Sequence, residues 1–502
     1  MSHHHRHHRH HRKFYKKPRF YVWLATLLVC LFGCYWLLKF NIIPTLFVSI
    51  IIEVNIVFLI LMWYLLMVRH RKWMHILAYV MAGILCLSNG FLGYSFNATY
   101  SAIDTMSEPV QEKGDYVDLD VLNDSLIKTP EDLNGRTIGI LKNMPAEQKQ
   151  PMIDWLSEQN IEYTLKEYDS SLLMARNLKG VAIDAIILYQ PYLSIIRGYD
   201  GLEEFSEDVR PIHQIQCAAT EMPNTSTDVN VTKNPFTVLI SGIDNYGSIS
   251  ETGRSDVNML ISVNPTTRSI FILSIPRDYY VEFDCEGVPA CPAGKKDKLT
   301  HSGMYGVAIT EKTLEKLFDT EINYNIRVNF TSVIKIIDAL GGVDVHNVDD
   351  FTVGKHVFKP GVIHMDGDTA LLFSRERYSF EDGDRERGRN QMRVVEAIIQ
   401  KVLSPAILQS YTSILNVVKD SVQMNLKAED IAALVNMELS HPTSWNIYTY
   451  SVSGGDATDF APTLGDNAYV MVPNEEDVSH ARSDLQAIRS GEVPVYTSPL
   501  HS

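Results

Sequence analysis

Three long apolar runs fill most of the first hundred residues and constrain the fold more than any other feature of the chain. They lie at about 20–38, 42–68 and 73–96. A helix of about 20 apolar residues crosses the hydrocarbon core of a bilayer, where backbone polar groups have to be satisfied within the segment. The sequence therefore predicts three transmembrane helices within residues 20–96, with residues 97–502 folding in water.

The net charge of the chain changes sign where these runs end. Residues 1–96 carry 11 Lys and Arg against the single acid Glu53, a net +10, whereas the remaining residues carry 34 Lys and Arg against 59 Asp and Glu, a net −25. Basic residues cluster at 6–19 and 69–72, and the positive-inside rule places both clusters in the cytoplasm. Three spans then put residues 97–502 outside the cell. No signal-peptide cleavage pattern is present, so we expect the anchor to be retained.

The first 19 residues are predicted to be a basic cytoplasmic tail. They begin with HHHRHHRHHR. A tract of this kind has no fixed geometry, which favours a mobile tail over a metal site.

Changes in composition divide the rest of the chain. Helix and strand patterns such as TPEDLNGRTIGIL and SLLMARNLKGVAIDAIILYQPYL predict a small α/β domain, which resembles one lobe of an extracellular solute-binding protein. Such a lobe would bind a ligand or would only pack against the next domain. The predicted parts are an accessory α/β domain at 97–217, a polar linker at 218–234, a larger α/β domain at 235–480 and a loosely ordered tail at 481–502.

Polar side chains stand at the ends of three apolar runs that we interpret as strands, FTVLISGIDN, SDVNMLISVN and RSIFILSIPRDYYVEF. Asp244 ends the first, Arg254 and Asp256 open the second, and Arg277 follows the third. The loops beyond strand ends commonly build sites in α/β proteins. Two carboxylates converging there would suit Mg²⁺, which takes oxygen ligands. The alternative is that Asp244 caps a turn and that Asp256 pairs with Arg254.

Residues 374–391, SRERYSFEDGDRERGRNQ, hold five arginines and five acids. An arginine side chain binds phosphate through two parallel hydrogen bonds and stays charged at any working pH. ALLFSRER is predicted to be a strand, on which Arg375 and Arg377 point the same way. Arg387 and Gln391 share a face of the following helix, whose N-terminus favours an anion. The alternative is a surface of internal Arg–Glu pairs, in particular for Arg385 and Arg389. The apolar residues predicted to share a face of this helix are Met392, Val395, Ile399 and Val402.

Cys285 and Cys291 flank the short segment EGVPA. A location outside the cell permits disulfides. A metal site is less favoured because no histidine or other cysteine lies at ligand spacing. We therefore expect a disulfide between them.

Four separate motifs, in order, are similar to the LytR-CpsA-Psr family, and to its capsule-locus CpsA members in particular. They are GIDN with GRSDVNMLISVNPTTRSIFILSIPRDYYV, then DKLTHSGMYG, NFTSVIKIIDALGGVDV and FSRERYSFEDGDRERGRNQMRVVEAI. The resemblance implies a catalytic domain that is an α/β/α sandwich around a central mixed β-sheet. It also implies a phosphotransferase that attaches a polyprenyl-diphosphate-linked glycopolymer, here a capsular polysaccharide, to peptidoglycan through a phosphodiester.

The family resemblance also implies roles for individual residues. Asp244 and Asp256 would hold Mg²⁺, or Mn²⁺, against the diphosphate. The implied catalytic residues are Asp244, Asp256, Arg277, Arg375, Arg377 and Arg387. The implied substrate-binding residues add Arg254, Lys298, Asp384 and Gln391 to these arginines.

The expected setting is the cell membrane of a Gram-positive bacterium. The expected partners are the lipid-linked polysaccharide, peptidoglycan, the bilayer and other capsule-assembly membrane proteins. Nucleic acid is not expected, because the cytoplasmic parts are too short for a DNA-binding module and the arginine-rich window has no net positive charge. A non-catalytic membrane sensor or regulator of capsule synthesis that binds lipid-linked saccharide is the alternative function.

Overall fold

A computed structural model describes residues 17–68, 71–107, 116–217, 227, 229–243, 253–285, 287–288, 291–404, 411–419 and 421–497. The predicted tail of 19 residues therefore lies almost entirely outside the described residues, as does most of the predicted linker. The chain forms two compact units. One contains the N-terminal helices as far as Thr105 together with Lys427–Thr443, and the other contains Met106–Leu426 and Ser444–Ser502.

The secondary structure of the described residues is numbered here in chain order. The helices are α1 (Pro18–Phe40), α2 (Thr45–Trp63), α3 (Lys72–Ser107), α4 (Ala146–Glu158), α5 (Ser171–Lys179), α6 (Tyr192–Ile196), α7 (Phe205–Asp208), α8 (Leu299–Ser302), α9 (Val307–Phe318), α10 (Phe330–Ala339), α11 (Gly367–Arg375), α12 (Asp384–Val402), α13 (Tyr411–Val418), α14 (Ala428–Ser440) and α15 (Glu475–Ser490). The strands are β1 (Tyr116–Leu122), β2 (Arg136–Leu141), β3 (Tyr163–Tyr168), β4 (Ala185–Tyr189), β5 (Val209–Gln216), β6 (Phe236–Ile243), β7 (Val257–Asn264), β8 (Ser269–Ile275), β9 (Tyr280–Glu282), β10 (Lys296–Lys298), β11 (Tyr324–Asn329), β12 (Val343–Asn347), β13 (Phe351–Val353), β14 (His356–Phe358), β15 (Gly361–Met365), β16 (Gln423–Met424), β17 (Asn446–Ser451), β18 (Gly454–Ala461) and β19 (Asp466–Pro473).

The first unit contains the three predicted membrane helices. All three are long and apolar enough to cross a bilayer. Asn55 of α2 and Asn89 of α3 exchange two amide hydrogen bonds of 3.0 Å, and such pairs hold helices together in lipid. Helix α14 belongs to this unit, where the Asn436 amide donates to the carbonyl of Asn41 between α1 and α2.

The predicted boundary between the membrane helices and the accessory domain is wrong. Helix α3 continues to Ser107 rather than ending near 96, and the accessory sheet begins only at Tyr116. The residues after 96 are more polar than the predicted span, but they extend the helix beyond the length needed to cross the bilayer.

The accessory domain is built on a five-stranded sheet with the order β3-β2-β4-β1-β5. Strand β2 runs parallel to β3 and β4, whereas β1 runs antiparallel to β4 and β5. Because side chains alternate along a strand, Val117, Leu119 and Val121 face the core together. The same core takes in Met304 and Leu464 from the larger domain, so the two domains share buried apolar surface.

The larger domain is a six-stranded mixed sheet covered by helices on both faces. Its order is β16-β11-β6-β7-β8-β17, with β6, β7 and β8 antiparallel and with β11 and β17 parallel to their neighbours β6 and β8. Leu260 and Phe271 face α9 and α15, whereas Met259 and Ile270 face α12. The expected sandwich around a mixed sheet is confirmed, and a sheet buried on both faces explains why its strands are almost continuously apolar.

Two local predictions in this domain are wrong. ALLFSRER is not a strand, because its first six residues end helix α11 at Arg375; Asp366 caps this helix by accepting a hydrogen bond from the backbone of Thr369. The segment after 480 is not loose, because α15 continues to Ser490 and buries Leu485 and Ile488 in the core. Burial of apolar side chains stabilises both helices, and for α11 these are Ala370 and Phe373, in a core shared with α10 and α12.

Two other predictions are confirmed. The sulfur atoms of Cys285 and Cys291 are bonded. Helix α12 packs Met392, Val395 and Ile399 against the sheet, while the fourth predicted member of that face, Val402, is 47% exposed.

We expect Leu273→Ala to lower the free energy of unfolding by about 2–5 kcal/mol, because its fully buried side chain would leave a cavity between β8 and the helices. The matched control is Val362→Ala, at a side chain that is 70% exposed, where a change within about 0.5 kcal/mol is expected. Urea unfolding of the full chain in detergent measures both. Equal losses of unfolding free energy in the two variants would contradict the burial of Leu273 between the sheet and the helices.

Candidate active site

One edge of the central sheet brings the predicted polar residues together. Strands β7 and β8 are antiparallel neighbours, so the start of β7, after Asp256, and the end of β8, before Arg277, lie at the same edge. The end of β6 lies there too, since the backbone amide of Asp256 donates to the carbonyl of Gly242 at 2.8 Å. Asp244, predicted just beyond β6, lies outside the described residues.

The carboxylate of Asp256 is the most enclosed group at this edge. Its Oδ1 accepts from Arg277 Nη1 at 3.1 Å and from the Thr300 hydroxyl at 3.0 Å, and its Oδ2 lies 3.3 Å from Arg254 Nη2. Burial alone would raise the pKa of Asp256. The Arg254 and Arg277 guanidiniums outweigh that effect and hold its pKa below the usual range, so this group is a carboxylate at any working pH.

Arg277 connects three carboxylates. Besides Asp256 it approaches Asp278, with 3.6 Å from Nε to Oδ2, and Asp384, with 3.5 Å from Nη2 to Oδ2. Burial opposes its charge, but the three acids raise its pKa. Asp278 in turn pairs with Lys298 at 2.6 Å. Lys298 is thereby fixed beside Arg277, on the same side of the sheet.

Asp384 joins this network to the arginine-rich window. It is the first residue of α12 and lies 3.0 Å from Arg387 Nη2 and 3.6 Å from Arg377 Nη1. Arg387 and Gln391 both line the pocket between α12 and the ends of β7 and β8, so the structure places them on one helix face as predicted.

The connected ion pairs contain more cations than anions. Among the described residues, five cationic side chains are linked to three carboxylates, an excess of two positive charges. The cations are Arg254, Arg277, Lys298, Arg377 and Arg387, and the anions are Asp256, Asp278 and Asp384. Burial, and next the nearby Arg277, lower the pKa of Arg387, and Asp384 and Asp256 oppose them. A dianion entering this pocket would compensate the excess of positive charge.

Of the other arginines of the window, Arg375 departs from its predicted strand position, whereas Arg389 forms the internal pair that was the alternative prediction. Arg375 ends α11, where its guanidinium lies over the ring of Phe330, 4.2 Å from the centroid. Because α11 continues to Arg375 and Arg377 lies in the loop beyond it, the two arginines do not alternate along a strand. Arg385 lines the pocket and donates to the carbonyl of Gly454 at 2.8 Å, whereas Arg389 pairs with Glu386 as an internal ion pair.

Three functional positions were missed by the sequence analysis. Asp278 directly follows Arg277, and Thr300 lies two residues after Lys298, so both stood inside quoted motifs. Asp297 is fully buried and accepts hydrogen bonds from the Lys298 and Thr463 backbones. Its pKa is lowered by His301, which more than offsets the effect of burial. Only the fold reveals that these residues hold Lys298 and Asp256 in place.

The chemistry of Asp256 is compatible with a divalent cation. Its Oδ2 is buried and accepts no hydrogen bond, and a permanently ionised carboxylate oxygen is the donor that Mg²⁺ prefers. Within the described part of the chain, no group of three or more His, Cys, Asp or Glu could hold a metal ion. Mg²⁺ commonly needs only one or two carboxylates, because substrate phosphates and water complete its shell.

Comparisons with known proteins identify the family to which the sequence is similar. A family model described as the LytR_cpsA_psr family matches residues 210–486. The chain is 38% identical over 206 residues to a Bacillus cereus protein named polyisoprenyl-teichoic acid–peptidoglycan teichoic acid transferase TagU, which covers 41% of this chain and 65% of that protein, just under two thirds of its length. An Enterococcus faecalis protein of the same name is 35% identical over 202 residues, covering 40% of this chain and 64% of the relative. The crystal structure of B. subtilis TagV is 27% identical and covers 51% of this chain and 98% of its own, with a TM-score of 0.44.

We expect Asp256→Asn to lower the free energy of unfolding by about 2 kcal/mol at pH 7, because two guanidiniums lose a charged partner. The native pKa of Asp256 lies below its unfolded value of about 3.9, so its stabilisation is complete above that pH and is lost as pH falls through the native pKa. The stability of the variant should therefore fall less steeply than that of the wild type below about pH 4. The exposed carboxylate variant Asp124→Asn is the control. Parallel pH profiles of thermal unfolding for wild type and Asp256→Asn would contradict the assignment.

Proposed function

Because the chain belongs to the LytR-CpsA-Psr family, we propose that it transfers a glycopolymer from a polyprenyl-diphosphate carrier to peptidoglycan. The observation that carries this proposal is the group of cationic side chains around Arg277, which among the described residues outnumber the carboxylates linked to them by two. A diphosphate that joins a prenyl chain to a sugar carries two negative charges. The pocket is thus suited to one such group rather than to a long polyanion.

The polymer itself has two sources of support. The names of the relatives specify a teichoic acid. The motifs resemble capsule-locus proteins, which favours a capsular polysaccharide. Both are glycopolymers carried on a lipid diphosphate. The ion-pair network would bind this diphosphate, which the two substrates share.

The proposed reaction exchanges one phosphate bond for another. A hydroxyl oxygen of peptidoglycan forms a bond with the phosphorus that bears the glycan. The bond from that phosphorus to the bridging oxygen breaks, and polyprenyl phosphate leaves with the electron pair. The hydroxyl proton passes to a base. No nucleoside triphosphate is required, since the diphosphate bond supplies the driving force, and this suits an extracellular site.

The protein's part in such a reaction is mostly positioning and charge neutralisation. Arg277 is held on three sides by carboxylates, so it reaches the substrate without having to reorganise. Arg387 and Arg377 approach from α12 and the loop before it, and Lys298 is held beside Arg277 through their shared partner Asp278. These fixed cations would neutralise the charge that develops on the bridging oxygen.

The candidates for the base are Asp244, Asp256 and Asp384. Asp256 is poorly suited, because its lowered pKa makes it a weak base and its Oδ1 already accepts two hydrogen bonds. Asp384 is 34% exposed at the pocket, which allows an acceptor hydroxyl to approach. Asp244 remains the second candidate.

Mg²⁺ is proposed as the cofactor, held by Asp256 and Asp244. When bound, it would neutralise diphosphate charge beside the guanidiniums. Arg254 and Arg277 would keep Asp256 ionised and correctly oriented for this role.

The reaction is proposed to take place on the outer face of the cell membrane of a Gram-positive bacterium. The three membrane helices would anchor the site at the surface where the lipid carrier is embedded. The alternative function, a sensor that binds lipid-linked saccharide without transfer, would use the same pocket. Transfer of polymer to peptidoglycan distinguishes the transferase from the sensor.

We expect Arg387→Ala to lower kcat/KM for transfer about 10²–10³-fold, as loss of one preorganised charge donor does in other enzymes. The control is Arg389→Ala on the same helix. Arg389 pairs with Glu386 and Asp382 rather than with the network around Arg277, so kcat/KM should stay close to that of the wild type. The assay supplies full-length protein in liposomes with lipid-linked polymer, either teichoic acid or capsular, and measures polymer covalently bound to peptidoglycan. Binding of lipid-linked polymer without any transfer would support the sensor instead.

We expect EDTA to abolish transfer and added Mg²⁺ or Mn²⁺ to restore it, because the cation would stabilise the additional negative charge that develops on the leaving phosphate during transfer. Isothermal titration of Mg²⁺ into the wild type and into Asp256→Asn, each with substrate lipid present, measures the cation site directly. Full activity in excess EDTA would rule out the proposed cofactor.

A further inference from the structure

The accessory domain lies directly beside the proposed active site. Its core includes Ala461 and Leu464, which belong to the end of β18 and the turn toward β19. At Gly465 the backbones of the two domains touch, since a Cβ there would come within 1.6 Å of the Asp169 carbonyl oxygen. The neighbouring Thr463 amide donates to Asp297 at 2.7 Å, next to Lys298. The accessory fold and the catalytic residues are thus joined through one rigid turn.

One accessory loop reaches the site itself. It follows α6, whose residues Ile195 and Ile196 are fully buried in the accessory core. The backbone amide of Gly198 donates to the Ile195 carbonyl at 3.0 Å, and that of Tyr199 donates to Ile196 at 3.3 Å. The accessory core therefore determines the position of this loop.

Gly198 lies against the side chain of Arg254. A Cβ at Gly198 would stand 2.7 Å from Arg254 Nη1 and 3.6 Å from Cζ, so the guanidinium occupies the space that any larger residue would take. On its other side Arg254 pairs with Asp256, and its Nε is buried without a hydrogen-bond partner. The orientation of Arg254 is consequently set between one catalytic-domain carboxylate and one accessory-domain glycine.

The next residue in the loop also faces the charged network. Burial raises the pKa of Tyr199 to about 12, with Arg254 opposing the shift and Asp278 and Asp297 adding to it. The Tyr199 hydroxyl therefore stays protonated within the field of the site. This agrees with a loop that forms part of the pocket's surroundings.

We propose that Gly198 is a positioning residue for the transfer reaction, and that the accessory domain completes the active site by fixing the orientation of the Arg254 guanidinium. The proposal rests on the proposed function, in which Arg254 belongs to the cationic network that meets the diphosphate and keeps Asp256 ionised and oriented. It differs from the interpretation of the accessory domain as an independent ligand-binding lobe, because the accessory contribution acts through a catalytic-domain side chain.

The test is a double-mutant cycle between Gly198→Ala and Arg254→Ala in the full-length protein. Arg254 Nη1 is the end of a flexible side chain, so the alanine should displace the guanidinium without unfolding either domain. We expect Gly198→Ala to weaken binding of farnesyl diphosphate, used as the probe, about tenfold, as loss of one charged hydrogen bond does. In the Arg254→Ala background the same substitution should change binding less than about twofold, because the two residues act as one.

Asp200→Ala, an exposed substitution in the same loop, is the control and should bind the probe like the wild type. Wild-type binding by Gly198→Ala, or an undiminished effect in the Arg254→Ala background, would overturn the proposal. Gly198 would have a merely structural role if Gly198→Ala lowered the Tm of the protein and weakened probe binding as strongly in the Arg254→Ala background as in the wild type. If the wild type binds the probe but transfers no polymer, the proposed function fails while the cycle still decides the role of Gly198. Absence of probe binding by the wild type would overturn both.

Discussion

The ion pair between Asp256 and Arg277 is the interaction on which the proposed active site depends. It joins the start of β7 to the end of β8, and through Asp384 it reaches the first turn of α12. Buried charges are costly unless they are paired and hydrogen-bonded. Each member of the network is therefore held by the others, and Arg277 can face a substrate only in the orientation that its three carboxylates allow. This is the electrostatic preorganisation that phosphoryl transfer requires.

The fold supplies that arrangement through the two-faced sheet. Alternation along β7 and β8 sends Leu260 and Phe271 to one face and Met259 and Ile270 to the other, so helices cover both faces of the sheet. Asp256, Arg277 and Asp278 come just before or after these strands. They are largely buried, which strengthens the ion pairs that they form. The accessory domain covers a further side of the same region, through the turn at Gly465 and the loop at Gly198.

Much of this could be anticipated from the residues. The membrane helices, the central strands and the apolar face of α12 follow from length and periodicity, which depend little on distant contacts. ALLFSRER was assigned wrongly because a short apolar run fits a strand or a buried helix equally well. The end of α15 was overlooked although Ala481, Leu485 and Ile488 recur at helical spacing, because the polar residues between them resemble a solvated tail. The end of α3 was misplaced because polar residues after 96 do not by themselves stop a helix.

For the site, residue chemistry and motif likeness identified Asp256, Arg277, Lys298 and Arg387, because carboxylates and guanidiniums at strand and helix ends are visible in a linear chain. The sequence also pointed to Asp384 and Arg254 as members of one pocket. It did not indicate that Asp278 and Asp297 orient the cations, that Arg375 rests on Phe330, or that an accessory-domain glycine meets Arg254. Those facts depend on distances between residues far apart in the chain. Such distances arise only when burial of apolar surface brings the sheet, the helices and the accessory core together, so packing, and not local pattern, decides them.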